Sequence, residues 1–215
     1  MTVLTVIGGS GYAGSHIAEA AAVRGLAVRS VSRSETAEQI AGVGYETGSI
    51  LESADRARAL DGSDVVIVAV SPRGNMAGKV RGAVAELAAD AAAKGVRLGV
   101  IGGAGSLLAS EGGKRLADLP DFAEEFRAEA LEMGGVLDDL RENAPAELDW
   151  FLVSPPAEFG PWAAGEYTGN YRVGGDVLLS DDAGKSAISG ADFGVAVVDE
   201  VEDPKHRRAR FTVAY

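Results

Sequence analysis

Residues Val6–Gly14 read VIGGSGYAG, and the fold turns on this stretch. The run Val3–Ile7 is apolar, rich in β-branched residues and ended by glycine, which predicts a strand. Ala13–Arg24 then predicts a helix that stops at Gly25. Two overlapping patterns fit the glycines: Gly9, Gly11 and Gly14 make G-x-G-x-x-G, while Gly8, Gly11 and Gly14 make G-x-x-G-x-x-G. Between a strand and a helix, such glycines permit a tight turn, a close approach of backbone to pyrophosphate, and close helix–strand packing. The phosphates then sit at a helix N-terminus, where free N–H groups and the helix dipole favour anions. This context points to a dinucleotide site. A plain glycine-rich turn is the alternative.

The surrounding chain repeats the strand–helix rhythm. Ala27–Ser32 predicts a second strand, and Leu51–Leu60 a helix closed by the turn signal Asp61-Gly62. Asp64–Val70 reads DVVIVAV, the nearly all-apolar pattern of a strand covered on both faces. Ala77–Ala93 predicts a helix, Arg97–Ile101 a strand, Asp121–Asn143 a helix weakened at Gly134-Gly135, and Leu148–Val153 a strand stopped by Pro155-Pro156. In the last third, Asn170–Val173 and Asp176–Leu179 are short strand-like pieces. Asp181-Asp182 is read as a turn, Ala191–Val201 as a helix and Phe211–Tyr215 as a final strand. The expectation is an α/β fold of the Rossmann type. Its sheet is doubly wound and mainly parallel, within a single domain over 1–215, with a small C-terminal cap near 155–185.

Composition narrows the class. The chain has 215 residues, 47% of them hydrophobic and 24% charged, an ordinary globular balance. Its formal net charge of -12 argues against nucleic acid or anionic membrane surfaces as partners. There are no cysteines, hence no disulfide framework and no thiolate metal site. That usage suits a cytoplasmic protein. The glycine cluster begins so early that no signal peptide is expected ahead of it, and no stretch approaches membrane-spanning length.

The second predicted strand ends in SVSRSE. An NAD site commonly carries Asp or Glu here for the ribose hydroxyls. Ser32-Arg33-Ser34 instead offers a guanidinium and two hydroxyls, which suit a 2′-phosphate. NADP is favoured over NAD, although Glu35 lies near enough to keep dual use open.

Several chemistries lack their residues. No tyrosine is followed four positions later by lysine, so the usual acid–base pair of dehydrogenases on this fold is missing. No serine sits in G-x-S-x-G. The two histidines, His16 and His206, have no partners at metal-ligand spacing, and no metal is expected. His16 reads as a helix residue near the glycine turn. Lys205–Arg210 reads as a solvated loop before the last strand.

GGSGYAG, Ser32-Arg33, GGAGSL at Gly102–Leu107 and DWFLVSPPAEF at Asp149–Phe159 resemble the atypical short-chain dehydrogenase/reductases. Within that class they are similar to the NADH-flavin reductases, relatives of biliverdin-IXβ (flavin) reductase and of NmrA-like proteins. The segment AISGADFGVAVVDEVEDP extends the resemblance over nearly the whole chain. It implies a doubly wound strand order and an NADP-dependent reductase without a Tyr-Lys pair. It also implies that Gly8, Gly11, Tyr12, Ala13 and Gly14 hold the pyrophosphate, and that Arg33 with Ser34 holds the 2′-phosphate. Ser71 and Pro72 would border the adenine or ribose. Gly102, Gly103 and Ser106 would face the nicotinamide, and Ser154, Pro155 and Pro156 would orient its carboxamide. All these sets follow predicted strands, where open α/β sheets bind ligands. Structural-loop or chain-stop roles are the alternatives for the last two sets.

The leading function is hydride transfer from NADPH to a planar conjugated small molecule such as a flavin. No catalytic residue is assigned with certainty, and Ser106 is the candidate. A non-enzymatic NADP(H)-binding sensor is the second reading, and a nucleotide-sugar epimerase is disfavoured by the short chain and the missing pair. Phe159, Trp162, Tyr167 and Tyr171 crowd into a glycine-containing segment and are expected to form a flap over the nicotinamide, with at least one ring available to stack on a flat acceptor. Packing at a sheet edge is the competing role for these rings. A monomer or homodimer is expected.

Overall fold

Alternate strand residues belong to two different cores, and that division builds the molecule. A computed structural model describes residues 1–215. Its strands are β1 (Val3–Ile7), β2 (Ala27–Ser32), β3 (Val43–Thr47), β4 (Val65–Val68), β5 (Arg97–Ile101), β6 (Trp150–Ser154), β7 (Arg172–Gly174) and β8 (Ala209–Ala214). The helices are α1 (Tyr12–Val23), α2 (Ser53–Leu60), α3 (Val80–Lys94), α4 (Glu124–Glu142) and α5 (Gly190–Glu202). Val66 and Val68, Leu98 and Val100, and Trp150 and Leu152 face one core with Leu60, Leu87 and Leu137 of α2, α3 and α4. Their neighbours Val65, Ile67, Phe151 and Val153 face the other, with Ile17 of α1 and Phe193 and Val197 of α5. Side chains alternate across a strand, so a run such as VVIV feeds both helical layers.

One eight-stranded sheet runs β3-β2-β1-β4-β5-β6-β8-β7. All neighbours are parallel except β7 against β8. The order reverses between β1 and β4, which creates a crevice at the carboxyl ends of the strands. The Rossmann-type expectation therefore holds. No helix is long and apolar enough to cross a membrane.

Several local expectations are corrected. β3 was not expected at all: its residues VGYET are only partly buried, as befits an edge strand with a weak pattern. The helix expected over Ala77–Ala93 begins at Val80, after a short 3-10 turn at Gly74–Met76, because Gly74 and Gly78 adopt φ of 57° and 73°. Asp176–Leu179 forms no strand. It lies beside the loop after β5, with the Leu108 amide donating to the Asp176 carbonyl at 2.8 Å. Lys205–Arg210 is not simply a solvated loop. β8 starts at Ala209, Arg210 is only 6% exposed, and the His206 ring bonds Glu200 at 2.7 Å.

Candidate functional site

The loop from β1 to α1 is shaped by contacts that only glycine tolerates. Gly8 has φ of 89°, and a Cβ there would lie 2.4 Å from the Ala69 carbonyl oxygen. A Cβ on Gly14 would lie 2.2 Å from the Gly8 carbonyl oxygen. Gly8, Gly11 and Gly14 therefore carry the turn, with the Gly11 amide donating to the Gly8 carbonyl at 3.0 Å. Gly9 has a different task, since its Cα packs against Ser30 of β2. Gly11 caps α1 without a side chain, and the amides of Tyr12, Ala13 and Gly14 have no acceptor. Free amides, an aligned helix dipole and a wall without side chains form a cradle that fits a dinucleotide pyrophosphate.

This cradle opens into a cavity of about 790 Å³, a volume typical of cofactor and ligand sites. Gly8, Gly11, Tyr12 and Ala13 line it beneath α1. Arg33 enters from the end of β2, and Ser71 and Pro72 from the end of β4. Gly102 and Gly103 follow β5, and Pro155 and Pro156 follow β6. Phe159 and Trp162 stand on the rim, Trp162 with 67% of its surface exposed.

Other expected residues lie outside the lining. Gly14 packs below the turn, and Ser34 is exposed beyond the cavity. Ser106 and Ser154 are buried behind the floor, where one nitrogen of the Arg210 guanidinium meets their hydroxyls at 3.4 and 3.3 Å. Arg210 is held there by Asp176, which Arg141 of α4 also binds. Ser106 thus helps to shape the loop after β5, with its hydroxyl donating to the Gly103 carbonyl at 3.2 Å. Tyr167 does not reach the cavity. Tyr171 packs against the α1–α5 side and donates its hydroxyl to Asp199, while burial pushes its pKa far up.

The opposite wall was missed by sequence reasoning. Leu119, Phe122, Phe126 and Met133 close the cavity from α4 and the turn before it. The sequence marks Phe122, Phe126 and Met133 only as part of the helical stretch Asp121–Asn143. Glu129 on the same helix accepts from the Ser71 hydroxyl at 2.7 Å and from Arg73, which ties the loop after β4 to this wall.

Titratable groups near the cradle are already engaged. The Tyr12 hydroxyl receives the Gly190 amide at 3.1 Å and faces the Ala164 carbonyl. Burial raises its pKa, against the opposing pull of that amide. Burial lowers the pKa of His16, which lies in the α1–α5 seam against Gly190. No lysine lines the cavity.

An NAD(P)H-binding family model matches residues 8–204. The chain belongs to that NAD(P)H-binding family. It is 35% identical over 210 residues to the uncharacterized protein YwnB of Bacillus subtilis (strain 168), covering 97% of this chain and 96% of that one. A Streptococcus pneumoniae TIGR4 structure, provisionally called an NADH-flavin reductase, superposes with a TM-score of 0.83 at 33% identity, over 100% and 99% of the two chains. A Bacteroides thetaiotaomicron structure, provisionally called an epimerase, has a TM-score of 0.87 at 31% identity, over 100% and 97%. The expected resemblance to short-chain dehydrogenase/reductases and NADH-flavin reductases is therefore upheld.

Proposed function

We propose that the protein is an NADPH-dependent reductase that delivers hydride to a planar conjugated acceptor such as a flavin, within the cytoplasm. One observation carries this reading. A continuous cavity joins the phosphate cradle and Arg33 at one end to an apolar slot, between α4 and the Phe159–Trp162 segment, at the other.

Arg33 supports the choice of NADPH. Its side-chain partner is the neutral Asn75 amide, whereas Arg73, the other guanidinium of the lining, is paired with Glu129. An arginine without a carboxylate partner is free to pair with a 2′-phosphate.

A bound reduced nicotinamide dinucleotide supplies the hydride. The chain binds and orients. The first-turn amides of α1 would hold the pyrophosphate, Gly102 and Gly103 would leave room for a flat ring, and Pro155 and Pro156 with the aromatic walls would orient it and exclude water. An extended acceptor spreads the incoming charge over its own ring system, so solvent can supply the proton and no dedicated acid is needed. This matches a lining whose one tyrosine is tied to Gly190 and Ala164. It also argues against an epimerase of the Tyr-Lys kind.

The test is NADPH oxidation by purified protein with added flavin. Turnover that scales with protein concentration supports the reading. Tight NADPH binding without oxidation by any flat acceptor would instead favour a cofactor sensor.

A further inference from the structure

The acceptor end of the cavity carries a charge pattern that hydride transfer does not require. Apart from Tyr12, the ionisable side chains of the lining are Arg33, Arg73, Asp121 and Glu129. Arg33 belongs to the β2 end. Arg73 is consumed by Glu129, and its guanidinium carbon lies 5.7 Å from the centre of the Phe126 ring. Asp121 is exposed on the rim. The rim segment Asp118–Glu125 reads DLPDFAEE. The nearby Arg127 pairs with Glu124 at 2.7 Å and turns its remaining nitrogens onto the carbonyls of Ala117, Leu119 and Phe122. Among the lining side chains, then, no unpaired cation stands at the apolar end, and the exposed carboxylate of Asp121 stands at its mouth.

We propose, building on the reductase reading, that this slot selects uncharged flat acceptors over acceptors bearing phosphate or carboxylate groups. A quinone or an isoalloxazine without phosphate fits the chemistry. A neutral ring gains apolar burial and stacking against Phe122, Phe126, Phe159 or Trp162. An anionic group entering the same space gives up hydration without meeting a partner and faces like charge at the rim.

Riboflavin and its 5′-phosphate, FMN, share one ring system and differ in that charge. Each is titrated into the full-length protein loaded with NADP⁺, with flavin fluorescence as the readout. Riboflavin is expected to bind at least ~10-fold more tightly, which corresponds to about 1.4 kcal/mol. Asp121→Lys is expected to narrow the ratio by roughly 3–10-fold, the size of one charge interaction near a surface. A ratio near one overturns the proposal, as does failure of both flavins to bind. Steady-state rates with NADPH separate this from the parent reading. Preferential binding of riboflavin without its reduction overturns the reductase reading and upholds the slot's selectivity. Reduction of both flavins with equal kcat/KM does the reverse.

Discussion

Arg33 stands at the end of β2 with the Asn75 side chain as its partner and the cavity before it. A charge-assisted hydrogen bond contributes about 1.5–3 kcal/mol, and each ~1.4 kcal/mol is a factor of ten. Arg33→Ala should weaken NADPH binding by ~10–100-fold and leave NADH binding nearly unchanged. Equal losses for the two cofactors, measured by fluorescence titration, would show that Arg33 does not read the 2′-phosphate. Tyr12 gives the complementary case. Its hydroxyl ties α1 to the N-terminus of α5 and to the 160s loop. Tyr12→Phe should therefore retain measurable turnover with a good hydride acceptor. Loss of turnover with cofactor binding and fold intact would reveal a hidden general acid.

At the scale of elements, the Pro161–Ala163 turn carries Trp162 out over the cavity rim with most of its ring in solvent. Trp162→Ala should raise the acceptor KM several-fold while leaving NADPH affinity and Tm nearly unchanged. A large fall in Tm with an unaltered KM would assign the ring to packing. Tyr171, expected in the same flap, belongs instead to the core side with Phe193. The difference explains what the sequence could convey. β1, β2 and β5 were legible to the residue because both flanks carry sharp signals, glycine on one side and β-branched apolar runs within. β3 was not, since VGYET half-exposes its residues at the sheet edge and shows neither a period nor an apolar run. The glycine turn was legible because its signal is local to nine consecutive residues. The wall from Leu119 to Met133 was not, because a helical pattern reports an apolar face but not what that face looks onto. Arg210 was misread for a related reason. Its partners, Asp176, Ser106 and Ser154, come from distant parts of the chain.

Across the whole molecule, buried carboxylates set the response to acid. Asp192 is fully buried at the start of α5. It accepts from the Thr168 and Gly169 amides and from the hydroxyls of Thr168, Ser189 and Tyr215. Burial alone would raise its pKa, but these bonds outweigh burial and lower it. Glu200 follows the same balance through Arg97, the ring of His206 and nearby amides. A depressed folded-state pKa contributes stability that is present above the unfolded carboxylate value, about 4. That contribution is lost as pH falls through the folded-state value. Tm should be nearly flat for these groups near neutrality and should fall steeply below about pH 4. Asp192→Asn should lower Tm at neutral pH and flatten the acid limb, because its amide cannot accept from every donor and cannot titrate. An unchanged acid limb in thermal melts would remove Asp192 from this account.

The cavity joins these scales, since the ends of β1, β2, β4, β5 and β6 and one face of α4 converge on it. The most direct measurement is the rate of NADPH oxidation with riboflavin as acceptor, followed against protein concentration and repeated with NADH. The account predicts a rate proportional to protein, with a lower KM for NADPH than for NADH. NADPH that binds in the same assay yet is never oxidised, by riboflavin or by a quinone, would contradict it.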